Sequence, residues 1–136
     1  MSSPQLCGLI IQKMKTQKIL FWSITGLLSA GMLMSGFMYL SKNPQIVDGF
    51  NTLGLPMYFI TLLGVAKLAG AIALLVPKFE NIKEWAYAGF AFTFIGAVWI
   101  HLATSTPFVG PLIALILLAT SYLLRKKLLA QPVSVK

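Results

Sequence analysis

Few residues of this 136-residue sequence could do chemistry, and most of them stand alone. Lys67 lies in the middle of an apolar stretch, while His101 and Cys7 are the only histidine and the only cysteine. A single cysteine excludes an intramolecular disulfide, and a histidine without nearby thiols or carboxylates predicts no metal site. We also identify no Ser-His-Asp group, no carboxylate pair and no glycine-rich phosphate loop in the sequence. It gives no support for catalysis by its own side chains alone, and whether the protein is an enzyme stays open.

Lys67 is the strongest functional candidate, because an ionisable group at mid-membrane depth is costly and usually serves a purpose. Its ammonium could hold an anionic headgroup, a quinone oxygen or another anion. Alternatively, it bonds helix carbonyls or extends to the membrane surface and only supports the bundle. No carboxylate is expected at its depth, since Glu84 is placed at the inner boundary and Asp48 in an outer loop. We expect Lys67 to face the bundle interior, where Gly64 and Gly70 leave room one turn away.

His101 and Thr93 form a second candidate pair. The two residues are eight apart with Ala97 between them, so they share one stripe of a helix. The imidazole could relay protons or touch a ligand, or it could be a boundary residue bonded to a neighbouring helix. The second role is favoured for His101, and Thr93 is kept as a ligand-binding candidate beside it.

Charge-free stretches predict the helices that position these residues. The sequence is 57% apolar and 10% charged, and residues 19–41 are 23 residues without a formal charge. Residues 85–124 are 40 residues without Asp, Glu, Lys or Arg. A single helix of that length would reach about 60 Å, twice the apolar thickness of about 30 Å. Two spans, 85–103 and 108–124, are therefore predicted around a turn at Thr104-Ser105-Thr106-Pro107. Glu84 is predicted to cap the first of them, and Tyr87 to anchor it at the membrane surface.

The stretch 57–76 is predicted to be the remaining span although it contains Lys67. Its ten Leu, Ile, Val and Phe residues contribute about −3 to −6 kcal/mol to insertion, against about +2.5 to +3.5 kcal/mol for a central lysine. Small residues on the spans permit close packing, and spans two and three are expected to meet through Gly70 and Gly89. Loop 42–56 is predicted to hold a short amphipathic helix that caps the bundle.

The basic residues predict the orientation of these spans. Nine of the eleven Lys and Arg residues flank the inner ends of the spans, one lies in an outer loop and one is Lys67. We therefore expect both termini in the cytoplasm, with a tail at 1–18, a transmembrane domain at 19–124 and a basic tail at 125–136. Met14 would also make an ordinary start, and residues 1–13 are expected to be mobile or interfacial. The net charge of +8 is explained by lipid headgroups, and no nucleic acid is expected as a partner.

Two segments carry a family resemblance. The stretches 64–77, with Ala66-Lys67-Leu68-Ala69-Gly70, and 82–90, with Lys83-Glu84-Trp85-Ala86-Tyr87-Ala88-Gly89, resemble the DoxX-like family of small bacterial four-span membrane proteins. The likeness extends from about residue 15 to 128. It implies a four-helix transmembrane bundle in the bacterial inner membrane, and some relatives are subunits of a thiosulfate:quinone oxidoreductase.

Two functions follow as expectations from the residues and the resemblance. The first is a membrane subunit of a quinone-linked redox system, with Lys67 and His101 near a quinone. The second is a noncatalytic membrane partner that assembles or stabilises other proteins. The possible partners are the lipid bilayer and either another membrane protein or further copies of this chain. A transporter comes third, because the sequence has no internal repeat of the kind usual in transporters.

Overall fold

The computed structural model describes residues 2–131, which form five α-helices and no strand. The helices are α1 (Ser3–Leu40), α2 (Pro44–Thr52), α3 (Tyr58–Leu75), α4 (Glu80–Ala103) and α5 (Val109–Leu129). The prediction of an all-helical fold is therefore confirmed. Helices α1, α3 and α4 are each long and apolar enough to cross a membrane.

The helices end at residues that interrupt helical hydrogen bonding. Pro44 opens α2, where the Asn43 side chain accepts a hydrogen bond from the Gln45 amide at 3.0 Å. Helix α3 ends directly before Val76 and Pro77, because the residue before a proline avoids helical geometry. The predicted turn at 104–107 separates α4 from α5, and Ser105 adopts a left-handed conformation with φ of 54°.

Three helices are longer than the spans predicted from charge. Helix α1 begins at Ser3 rather than at 19, so most of the predicted tail is helical. Helix α4 begins at Glu80 rather than at 85, and α5 continues to Leu129 rather than stopping at 124. Charged residues limit what lies in hydrocarbon, but lysine, glutamate and arginine are good helix formers, so the helices continue through them. The end of the predicted C-terminal tail, 132–136, lies outside the described residues.

The four long helices form a ring in which α1 packs on α3 and α5, and α4 also packs on α3 and α5. Two ends of this bundle can be distinguished. The basic end contains Lys18, the 76–79 loop and Arg125, and the loop end contains α2 and the 104–108 turn. The buried core between the ends consists of Leu28, Leu74, Tyr87, Phe90, Phe94 and Leu118.

Glycines allow the closest helix contacts, but not at every predicted position. A Cβ atom on Gly70 would lie 2.7 Å from Cζ of Phe90, so α3 and α4 approach closely there. A Cβ atom on Gly89 would meet nothing within 4 Å, so this glycine borders open space instead of a helix contact. Helices α1 and α3 meet at Gly36 and Gly64, where a Cβ on Gly36 would lie 2.8 Å from Leu68. A stripe of small residues indicates where helices can approach, but not which bulky side chain fills the space.

Candidate functional site

A cavity of about 570 Å³ lies between the long helices toward the loop end of the bundle. Most of its wall is apolar. One side is closed by Phe50 of α2 and by Leu53, which directly follows that helix. Phe50 is buried and packs edge to face on Tyr39, with ring centroids 5.5 Å apart. The short helix therefore covers the cavity, and its volume falls within the range typical of small-molecule sites. The polar members of the cavity wall are Tyr39, Lys67, Thr93 and His101.

Lys67 reaches from α3 toward α1 along the wall of this cavity. Its ammonium donates a hydrogen bond to the Ser35 hydroxyl at 2.8 Å and lies 3.9 Å from the centroid of the Tyr39 ring. Both partners are neutral, and no described carboxylate forms an ion pair with Lys67. An ammonium has three donors, so contact with Ser35 leaves capacity for an acceptor within the cavity.

His101 is held by two threonines at the end of α4. Thr104 donates to the Ile100 carbonyl at 2.8 Å, so its oxygen can accept from Thr106 at 3.0 Å. The Thr106 hydroxyl also lies 2.7 Å from Nδ1 of His101, and which of these two groups donates depends on the tautomer of the imidazole. The Thr106 contact occupies Nδ1, so Nε2 is the ring nitrogen that remains for a ligand.

Thr93 lies two helical turns before His101 on the same cavity wall. Its hydroxyl donates to the Gly89 carbonyl at 2.7 Å, so its oxygen is available only as an acceptor. Lys67 and Thr93 also border a smaller groove of about 180 Å³ between α3 and α4, which includes Gly70 and Gly89. The three residues singled out as ligand-binding candidates thus share one cavity, although they come from two helices.

Glu84 lies at the opposite end of the bundle and does not cap α4. It occupies the second turn of that helix, where its carboxylate accepts from Arg125 Nη1 at 2.5 Å. The ammonium of Lys126 lies 3.4 Å away, whereas Lys83 pairs with Glu80 at 3.9 Å. Because α4 begins earlier than the charge pattern predicts, Glu84 faces α5 and links the two helices.

Arg125 is the residue around which this end of the bundle is organised. Its guanidinium also pairs with Glu80, and its side chain is only 5% exposed. Glu80 and Glu84 are four residues apart on one helix face, so they form a carboxylate pair that sequence inspection did not identify. The spacing of the two acids was the available signal, but their partner lies more than forty positions away.

The sequence also did not predict a cluster of hydroxyl groups inside the bundle. The Ser121 hydroxyl lies 2.6 Å from the Thr25 hydroxyl and 2.7 Å from the Tyr87 hydroxyl, and all three side chains are buried. Tyr87 therefore links α4 to α1 and α5 rather than anchoring the protein at the membrane surface. Hydroxyl residues within apolar helices commonly bond across helices, which is the signal that Thr25 and Ser121 offered.

These features define a helical membrane protein with a largely apolar cavity between its helices and a lysine on the cavity wall. The chain belongs to the DoxX-like family, whose model matches residues 23–124, three-quarters of its length. The predicted family is therefore confirmed. Comparison with curated proteins and with solved structures gives no match.

Proposed function

We propose that this protein is a membrane subunit of a quinone-linked redox system, which holds the ring of a quinone in the cavity beside Lys67. The observation that carries the proposal is the Lys67 ammonium on the wall of an otherwise largely apolar cavity of about 570 Å³. A quinone has an apolar ring and two carbonyl acceptors. The wall suits both parts, since it offers aromatic and aliphatic side chains around a few polar groups.

The side chains around the cavity have complementary roles in this proposal. Lys67 donates to one quinone oxygen, while Ser35 and Tyr39 hold its ammonium in place. His101 offers Nε2 for a hydrogen bond to a carbonyl or hydroxyl oxygen of the ligand. A bound quinone supplies two-electron redox chemistry, and the chain supplies binding and orientation. The electron donor in this proposal is a partner subunit.

The proposed membrane arrangement has four spans, with α5 as the fourth and both termini in the cytoplasm of a bacterium. Support comes from the antiparallel order of the long helices and from the basic residues at one end of the bundle. In this orientation the basic end faces the cytoplasm. The cavity then lies in the outer half of the inner membrane, where it is accessible to a ligand dissolved in the bilayer.

A noncatalytic partner or assembly protein is the second candidate, and a ridge on α4 favours it. Trp85, Phe92 and Trp99 are seven residues apart and 82%, 78% and 76% exposed. Heptad spacing places the three aromatic rings on one side of the helix, as in helix pairs that pack along a seam. A partner helix or a second copy of this chain could lie against this ridge.

The quinone proposal is tested by substituting Lys67 and measuring the copurifying ligand. Protein purified in mild detergent is analysed by native mass spectrometry and by quinone extraction, as wild type, Lys67→Leu and Lys78→Leu. Lys78 is an exposed loop lysine and serves as the matched control. We expect bound quinone in the wild type and in Lys78→Leu, and at least about a tenfold loss in Lys67→Leu, from one lost charged hydrogen bond.

Two outcomes would contradict this proposal. Equal quinone content in all three proteins would remove Lys67 from the site. A wild type that retains no quinone, even after incubation with added quinone, but copurifies stoichiometrically with a second membrane protein would favour the partner function. In that case Phe92→Ala should weaken the complex, because it removes the centre of the aromatic ridge.

A further inference from the structure

A second concavity lies at the basic end, between the N-terminal half of α1 and the end of α5. It is a cleft of about 550 Å³. Its apolar wall consists of Ile11, Met14, Phe21, Trp22 and Leu128. Lys15, Lys18 and Gln131 supply its polar groups. The Gln131 side chain donates to Gln17, which connects the end of α5 to α1 beside the cleft.

The spacing along α1 explains how the two lysines come to lie over an apolar floor. Ile11, Lys15, Lys18 and Trp22 follow one another at intervals of four, three and four residues, so they share one helix face. Phe21 and Trp22 pack edge to face, with ring centroids 5.3 Å apart. The face thus changes from cationic to aromatic in the direction of the apolar bundle.

The positive charge of this cleft is not balanced within the part of the chain that the structure describes. Lys15 and Lys18 are exposed and form no ion pair there. The nearby acids, Glu80 and Glu84, are engaged by Arg125, Lys83 and Lys126. Two adjacent ammonium groups beside an apolar floor complement an anion that carries hydrocarbon.

We propose that this cleft binds one anionic phospholipid. Its phosphodiester lies between the Lys15 and Lys18 ammonium groups, and its acyl chains follow Phe21 and Trp22 toward the membrane interior. Lys18 directly precedes the first predicted span, so the ammonium groups lie at the depth of the lipid phosphates. Basic pockets between helices are a recognised setting for anionic headgroups. The site is separate from the cavity beside Lys67 and does not depend on quinone binding.

The test compares two pairs of lysines with equal charge. Native mass spectrometry of the full chain in mild detergent measures retention of phosphatidylglycerol and of phosphatidylcholine with the same acyl chains. Lys15→Gln/Lys18→Gln removes two charges inside the cleft. Lys13→Gln/Lys127→Gln removes two exposed charges outside its wall. All four residues are exposed, so both variants are expected to fold, and melting temperatures check this.

We expect the wild type to retain one phosphatidylglycerol in preference to phosphatidylcholine. The cleft variant should bind it about 25-fold more weakly, since each lysine near the surface contributes roughly a fivefold effect. The control variant should change this affinity by less than about threefold. Equal losses in both variants would mean that net charge alone attracts lipid, and equal retention of both lipids would likewise overturn the site.

A competition experiment separates a phospholipid from a free phosphate. Inorganic phosphate is added to the wild-type complex with phosphatidylglycerol, against sodium chloride of matched ionic strength. If the apolar floor holds acyl chains, phosphate should displace the lipid no more than chloride does. Selective displacement by millimolar phosphate would assign the two lysines to the free anion and overturn the lipid proposal.

Discussion

The two ends of the bundle surround a cation with opposite kinds of partner. At the basic end, Arg125 is enclosed by the carboxylates of Glu80 and Glu84. Toward the loop end, Lys67 is paired only with the neutral Ser35 hydroxyl and the Tyr39 ring, and it borders an open cavity. A cation whose charge is balanced by the protein stabilises the fold. One held by neutral groups beside empty space retains the capacity to bind a ligand.

The largest effect is expected for Arg125→Leu, which leaves two carboxylates without their shared partner. The Arg125 side chain is 5% exposed, but Glu80 and Glu84 are 50% and 37% exposed and can recover water. We therefore expect a loss of about 2 to 3 kcal/mol in the free energy of unfolding, somewhat below the cost of breaking a fully buried ion pair. Unfolding in detergent, followed by circular dichroism, measures it.

Lys126→Leu is the matched control for this comparison. Lys126 also contacts Glu84, but the Lys126 side chain is 52% exposed. The unfolding midpoint of the Lys126→Leu variant should therefore stay at the wild-type value. If the two variants lost equal stability, Arg125 would not be the organising residue of the basic end.

An intermediate effect is expected where α3 and α4 meet between the two ends. Gly70→Leu places a side chain against Phe90, which is itself buried and stacked on Phe94. We expect a loss of about 1 to 3 kcal/mol from overpacking, measured as the shift in thermal unfolding. Gly89→Leu is the control, because its Cβ meets open space, and it should remain within about 1 kcal/mol of the wild type. Equal destabilisation by both would contradict the close contact at Gly70.

The smallest effect on stability is expected for Lys67→Leu, which sharpens the contrast with Arg125→Leu. The Ser35 hydroxyl left behind can bond the carbonyl one turn earlier in its own helix, and removal of the ammonium also removes a cost of membrane insertion. These contributions oppose each other, so the free energy of unfolding should stay within about 1 kcal/mol of the wild type. A loss as large as that of Arg125→Leu would make Lys67 a structural residue rather than a ligand-binding one.

The class of protein, the family and the turns between the helices could be predicted from the amino-acid sequence alone. Charge-free stretches, prolines and small hydroxyl residues have local effects, and local effects can be read along the chain. The same reasoning selected Lys67, His101 and Thr93, because polar side chains are conspicuous within apolar helices. It could not give the helix ends at Ser3 and Leu129, since charge limits membrane insertion more strictly than it limits helix formation.

The contacts between distant residues are defined only when the helices pack together. Ser35 and Tyr39 contact Lys67 across 32 and 28 positions of sequence. Arg125 binds the carboxylates of Glu80 and Glu84, which lie more than forty positions before it. A helix that is apolar on every side carries no amphipathic pattern to indicate which face turns inward. Rotation and register are then set by how glycines and bulky side chains fit between helices, as at Gly36 and Gly70. The contacts that distinguish a lysine beside a cavity from an arginine between carboxylates therefore arise only when the bundle is assembled.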